Sequence, residues 1–263
     1  MEDNRKFAVM RRIVGKFMLA VSGCLPTAWL ESLVGLVIAG RANSLPPAEA
    51  LHFLFHIDRR LYDLEGIKAI EYDGGIHTKH RHIRYHDFFV ARVRPGEKVL
   101  DIGCGNGAVA HDIAEHSGAT VLGIDLDVQN IAMARSRYAH PRAEYRAGNV
   151  LTDLPVERFD VVILSNVLEH LPGRSAFLRR IAEAALPSRL LIRVPLFERD
   201  WRVPLKKELG LDYRLDPTHE TEYTLESFAE EMAEAGLKVV HQEVRWGEIW
   251  AEVVPCKETL VAE

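Results

Sequence analysis

The run Glu97-Lys98-Val99-Leu100-Asp101-Ile102-Gly103-Cys104-Gly105-Asn106-Gly107 decides how the rest of the chain is read. Val99 to Ile102 is a short apolar stretch of buried-strand character. It breaks into three alternate glycines, and a helical pattern follows from Ala108 to Glu115. Strand, glycine turn and helix together open a nucleotide-binding α/β unit. Glycine suits such a turn because a side chain would block a ligand's approach to the backbone and because the turn visits positive φ. The helix then aims its free N–H groups at whatever occupies the turn.

A glycine turn alone is weak evidence, and Gly103, Gly105 and Ala108 also fit a dinucleotide fingerprint. Asp101, two residues before the first glycine, argues otherwise, since a carboxylate there suits a cationic ligand better than a pyrophosphate. Thr120 to Asp125 reads as a second strand that ends on an acid, about twenty residues past the turn, where a carboxylate can accept both ribose hydroxyls. Asp127 then caps a helix running to Tyr138.

The pattern D-x-G-x-G-x-G at Asp101–Gly107 resembles motif I of the class I S-adenosylmethionine (SAM) dependent methyltransferases. Ser165-Asn166-Val167-Leu168-Glu169-His170-Leu171, after the apolar run Phe159–Leu164, resembles the motif that follows strand four in that family. The resemblance covers about residues 80–256. It implies an α/β, Rossmann-like seven-stranded sheet of order 3-2-1-4-5-7-6, with the last strand antiparallel. SAM is the implied cofactor. It carries an ammonium, a sulfonium and a ribose diol but no phosphate, in keeping with Asp101.

Residue by residue, the resemblance assigns cofactor contacts to Asp101, Gly103, Cys104, Gly105, Asp125, Leu126, Asn149, Val150, Ser165 and Asn166. Asn149 stands where the family commonly has an acid, and its amide can still donate and accept at an adenine edge. Cys104 reads as a small filler of a tight turn rather than a nucleophile. In relatives, an aromatic or basic residue just upstream of motif I contacts the methionine moiety; Arg84, Tyr85 and His86 are the candidates here. Arg84 would pair with the carboxylate. The nearby His77, His80, His82 and His86 match no recognised zinc spacing, and no metal site is expected.

Residues 196–223 read as an insertion covering the substrate, with Asp216-Pro217-Thr218-His219 as a turn that presents the histidine. His219 is the candidate general base for a hydroxyl acceptor, with His170 as a second candidate at the substrate. The N/D-P-P-Y signature of amine methyltransferases is absent, which points toward oxygen. The acceptor expected by analogy is a small molecule, a glycan or a lipid-linked compound.

Composition sets outer bounds. The 263 residues, 48% of them hydrophobic, support one α/β domain, taken as residues 76–263, plus an extension over residues 1–75. A net charge of −5 speaks against a general nucleic-acid binder. Three scattered cysteines, without a C-x-x-C pair, fit free thiols in a cytoplasmic protein. In the extension, Val9, Met10, Ile13, Val14, Phe17, Met18 and Val21 lie on one helical face, with Arg11, Arg12 and Lys16 on the other. A second apolar stretch covers residues 28–40, and Leu51 to Ile70 suggests a helical pair. Three readings stay open for the extension: packing or homodimerisation, peripheral contact with the inner face of a membrane, and a true span, against which Pro26 and Glu31 argue. Two rival functions also remain, a catalytically silent SAM-binding scaffold and an NAD-dependent oxidoreductase. Asp101 and the lack of a Tyr-x-x-x-Lys pair disfavour the second.

Overall fold

The structure, a computed structural model, describes residues 22–256 together with Lys16 and Ala20. The amphipathic face expected from Val9 to Val21, with Arg11 and Arg12, lies outside the described residues. The chain forms two compact units, residues 1–67 and 68–263.

In the first unit, helix α1 spans Thr27–Asn43 and buries none of its residues. Trp29, Leu36 and Val37 on it are all more than 60% exposed. Helix α2, Pro47–Tyr72, starts with proline at its first position, where the missing N–H costs nothing. The sequence reading expected two helices over this stretch; the structure has one of 26 residues. Gly66 is the only glycine in it, and the ~1 kcal/mol that one glycine costs does not break so long a helix. No helix of the described residues is long and apolar enough to cross a membrane.

The second unit is built on a seven-stranded sheet of order β3-β2-β1-β4-β5-β7-β6, as expected. Its strands are β1 Lys98–Ile102, β2 Thr120–Asp125, β3 Ala143–Ala147, β4 Val161–Ser165, β5 Arg189–Pro195, β6 Leu237–Arg245 and β7 Glu248–Pro255. The first five run parallel, and β7 lies antiparallel to both its neighbours. Trp246-Gly247 turns the final hairpin, both at positive φ. Strand β4 begins two residues later than the apolar run suggests, because Phe159 is spent as a fully buried core residue before the ladder starts.

Both faces of the sheet are covered, which is why the central strands are dominated by apolar residues, interrupted by Asp101 in β1 and Arg193 in β5. One core joins Leu100, Leu164 and Ile192 to Phe177 and Ile181 of helix α7 (Arg174–Ala185) and Phe228 and Met232 of helix α9 (Leu225–Glu234). The other joins Val99, Ile163 and Trp250 to Ile113 of α5 (Ala108–Ser117), Ile131 of α6 (Val128–Arg137) and Phe89. Upstream of β1, the short helices α3 (Lys79–Ile83) and α4 (Tyr85–Val90) meet at Arg84, which is left-handed at φ 53. Helix α8, Arg202–Glu208, lies within the 196–223 insertion.

β1 has β2 on one side and β4 on the other, so the chain grows outward in both directions from it. A crevice opens at the carboxyl ends of strands where the order reverses in this way, and ligands of open α/β sheets bind there.

Candidate functional site

The β1 turn is fastened to β2: the backbone N–H groups of Gly103 and Cys104 both donate to the carbonyl of Ile124, at 2.8 and 3.1 Å. Gly103, Gly105 and Gly107 all sit at positive φ, for different reasons. A Cβ at Gly103 would lie 2.6 Å from Val167 Cγ2, and one at Gly107 would lie 2.7 Å from Ala134 and Tyr145. A Cβ at Gly105 would meet no protein atom within 4 Å. Packing therefore requires the outer two, whereas the middle one faces the crevice.

That crevice is lined by the turn, by Asp101, by Ser165 and Asn166 at the end of β4, by Arg193 of β5, and by Lys79, His80 and Tyr85 of the upstream helices. Asp101 is 1% exposed, and its Oδ2 has no hydrogen-bond partner. Burial, aided by the nearby Asp125, pushes its carboxyl up to about 8. Asp125 holds the turn, with Oδ2 accepting from the Gly105 N–H at 2.8 Å and Oδ1 from the Asp127 N–H at 2.9 Å. Oδ1 also accepts from the Asn130 side-chain amide at 3.3 Å, so the capacity that remains for a diol is mainly at Oδ2. Asp127 caps α6 through the Gln129 N–H, as expected.

Cys104 is buried against Gly123, and burial pushes its thiol up, as befits a filler rather than a nucleophile. Asn166 is left-handed at φ 55, and its buried Oδ1 also lacks a partner. Leu126 stands 73% exposed directly after Asp125. Asn149 is exposed and Val150 half-buried; the Asn149 side chain accepts from the Leu151 N–H at 3.0 Å and so shapes its own turn. Leu126, Asn149 and Val150 stand outside the crevice lining.

Of the upstream candidates, Tyr85 enters the lining and Arg84 does not. The left-handed link turns Arg84 to solvent, where it pairs with Asp87 at 2.5 Å. His86 bonds Asp112 at 2.6 Å. The cations that line the crevice are Lys79 and Arg193. Arg193 makes a bidentate pair with Glu248 at 2.6 and 2.7 Å and lies 3.8 Å over the Tyr85 ring. Tyr85 in turn bonds His80 at 2.9 Å, and burial takes His80 down to about 4, so it stays neutral at physiological pH.

The second group of polar side chains stands next to Arg193. Glu169 is fully buried, and neither of its carboxylate oxygens has a partner. Burial pushes it up to about 8, against the pull of Arg193. Its backbone carbonyl accepts from Glu220 and Thr221, and this ties the insertion to the turn after β4. The tie brings His219 beside His170, with ring centroids 4.6 Å apart. His219 is 5% exposed and bonds Glu222 at 3.0 Å; His170 bonds Thr218 at 2.9 Å. The turn expected at Asp216–His219 is present. Sequence reading singled out both histidines but not Glu169. Its signal was a lone acid inside the apolar run Val167–Leu171.

A family model described as a methyltransferase domain matches residues 75–242. Ubiquinone biosynthesis O-methyltransferases resemble the central part of the chain. That of Bradyrhizobium diazoefficiens is 35% identical over 122 residues, 46% of this chain and 47% of that protein. That of Azorhizobium caulinodans is 39% identical over 111 residues, 41% of this chain and 43% of that protein. The matched region thus spans about half the length of these curated relatives. Among solved structures, magnesium protoporphyrin IX methyltransferase from Synechocystis PCC 6803, with bound SAH, superposes with a TM-score of 0.53 at 20% identity. The match covers 66% of this chain and 83% of that one. The methyltransferase bound to the Trm112 activator of Haloferax volcanii gives 0.57 at 18% identity, covering 71% and 94%.

Proposed function

The chain belongs to the class I SAM-dependent methyltransferases, and from that premise we propose that it methylates an oxygen of a small-molecule acceptor. The observation that carries the cofactor half of this reading is the unpartnered Oδ2 of Asp101 in the crevice. A buried carboxylate without a partner is costly. A ligand ammonium placed against it turns that cost into a charge-assisted bond. SAM brings such an ammonium, and its ribose diol meets the remaining acceptor sites of Asp125.

The acceptor half rests on Glu169 and His170, on the same turn as the crevice-lining Ser165 and Asn166, together with His219 of the insertion. In the reaction, the acceptor oxygen attacks the methyl carbon as the carbon–sulfur bond breaks. The sulfonium becomes a neutral thioether, and the hydroxyl proton leaves on the side of the Glu169–His170–His219 group. Because the cofactor supplies the leaving group, the protein's part is to align the acceptor, shield it from water and help remove its proton. The ubiquinone biosynthesis O-methyltransferases among the relatives support oxygen as the acceptor atom. The exposed apolar side chains of α1, among them Trp29, Leu33 and Leu36, support an acceptor that resides at or near a lipid surface.

Incubation with SAM and a pool of hydroxylated metabolites, followed by mass spectrometry, tests the reading. The expected result is a product heavier by one CH2, with an equal yield of S-adenosylhomocysteine. Product methylated on nitrogen, or no product from any hydroxylated compound, overturns it.

A further inference from the structure

We propose that Glu169, His170 and His219 form a binding site for a divalent first-row transition cation. The site lies beside the cofactor crevice, at the junction of the β4 turn and the insertion. One ligand atom from each residue lies within 4.8 Å of the others. Two imidazoles and one carboxylate make a donor set for Mn2+, Fe2+, Co2+ or Zn2+ rather than for calcium.

The hydrogen bonds around the group set the tautomers for this role. The Thr218 hydroxyl donates to Asp216 Oδ1 at 2.7 Å, so toward His170 it can only accept. His170 must therefore carry its proton on Nδ1, which leaves the Nε2 lone pair outward. His219 likewise faces a carboxylate oxygen of Glu222 with Nδ1, which places its proton there and frees Nε2. A carboxylate or hydroxyl behind each imidazole is the arrangement by which metal-ligating histidines are oriented. Glu222 is itself anchored by Arg199 and by the Leu215 N–H at 2.7 Å, so the orienting shell is rigid.

Glu169 supplies the independent observation. Both of its oxygens are buried without partners, although a buried acid normally recruits a donor. Arg193 pulls on the carboxylate without hydrogen-bonding either oxygen. A cation satisfies both oxygens at once. Asn166, three residues earlier on the same turn, adds a third orphaned oxygen and a strained backbone. A carboxylate with two unsatisfied oxygens, grouped within 4.8 Å of two oriented imidazoles, makes a donor set that a cation would complete.

Three protein ligands leave open positions on the ion. On the methyl-transfer reading, an open position takes the acceptor hydroxyl, lowers its pKa and holds the oxygen toward the crevice. The histidines then act as ligands rather than bases. Only this role rests on that reading; the site itself does not.

The test measures metal uptake without an acceptor. Full-length protein stripped with EDTA is titrated with MnCl2, followed by electron paramagnetic resonance, and with ZnSO4 by calorimetry. The proposal expects one ion per chain. Glu169→Gln and His219→Gln should weaken uptake at least tenfold, as changes in such a site do. S-adenosylhomocysteine affinity should stay within about twofold, because the crevice is intact. His170→Asn, at a half-buried position, gives the same readout should either buried variant fail to fold. Absence of stoichiometric uptake by the unmodified chain overturns the proposal, as does equal uptake by folded variants. If methylation fails while uptake is present, only the acceptor reading falls.

Discussion

Replacing Asp101 by asparagine separates two effects of one carboxylate. In the ligand-free protein, burial, aided by the nearby Asp125, raises its pKa from 3.8 to about 8. At 1.36 kcal/mol per unit, ionising it there costs about 5 kcal/mol. The sign follows from linkage. Below pH 4 the group is neutral in both folded and unfolded chains and costs nothing. Between pH 4 and 8 the unfolded chain ionises while the folded one does not, so stability falls; above 8 the loss is complete. The variant lacks this titration, so its stability advantage over the parent should grow from near zero at pH 4 to several kcal/mol at pH 8. Urea unfolding at a series of pH values measures it. SAM binding should do the reverse. The ammonium ionises Asp101, so at pH 7 close to one proton is released per SAM bound. Calorimetry in buffers of different ionisation enthalpy reads that number directly. Affinity should climb toward pH 8 and then decline as the ligand's own amine, with a pKa of about 8, loses its proton. The variant should bind SAM roughly a hundredfold more weakly, about 2.7 kcal/mol, with no proton release. A pH-independent stability difference together with equal proton release in both proteins would refute the reasoning.

The glycines of the turn should answer differently to the same change. Gly107→Ala meets Ala134 and Tyr145 at 2.7 Å and should cost roughly 2–4 kcal/mol in thermal unfolding. Gly105→Ala meets no protein atom, so it should cost only about 1–2 kcal/mol of backbone strain while weakening SAM binding more than tenfold. Arg193→Met leaves the buried Glu248 with only the Trp250 indole N–H as donor and no counter-charge, and should destabilise the fold by about 3–5 kcal/mol. Arg199 bonds Glu222 and the carbonyls of Leu196 and Tyr213, so Arg199→Ala should expose the 196–223 segment to limited proteolysis without abolishing binding of S-adenosylhomocysteine. If α1 faces lipid, the protein should sediment with anionic liposomes, and Trp29→Glu with Leu36→Glu should release it.

The sheet was legible because its central strands are mostly apolar runs that end on chemically distinctive residues. Asp101, the three glycines and Asp125 are adjacent in sequence to the strands that position them, so their joint placement follows from local pattern alone. The single long helix α2 reads in sequence as two because apolar spacing does not register where one helix ends without a proline. Sequence points to Arg84 and misses Arg193 for a similar reason. Proximity to motif I is visible in sequence, but the left-handed backbone that turns Arg84 outward is not. Arg193 reaches the crevice through a lateral neighbour relation between β4 and β5, which only the sheet register reveals. The meeting of Glu169 and His170 with His219 is a tertiary event. Nearly fifty residues separate them, and two backbone bonds to the Glu169 carbonyl bring them together.

The most direct measurement of the central claim is calorimetric titration of the purified chain with S-adenosylhomocysteine, alongside NAD as a competitor chemistry. The account predicts a one-to-one complex with the first ligand, abolished by Asp125→Ala, and no heat with the second. Silence toward the adenosyl ligand, or saturable binding of the dinucleotide in the same crevice, would contradict it.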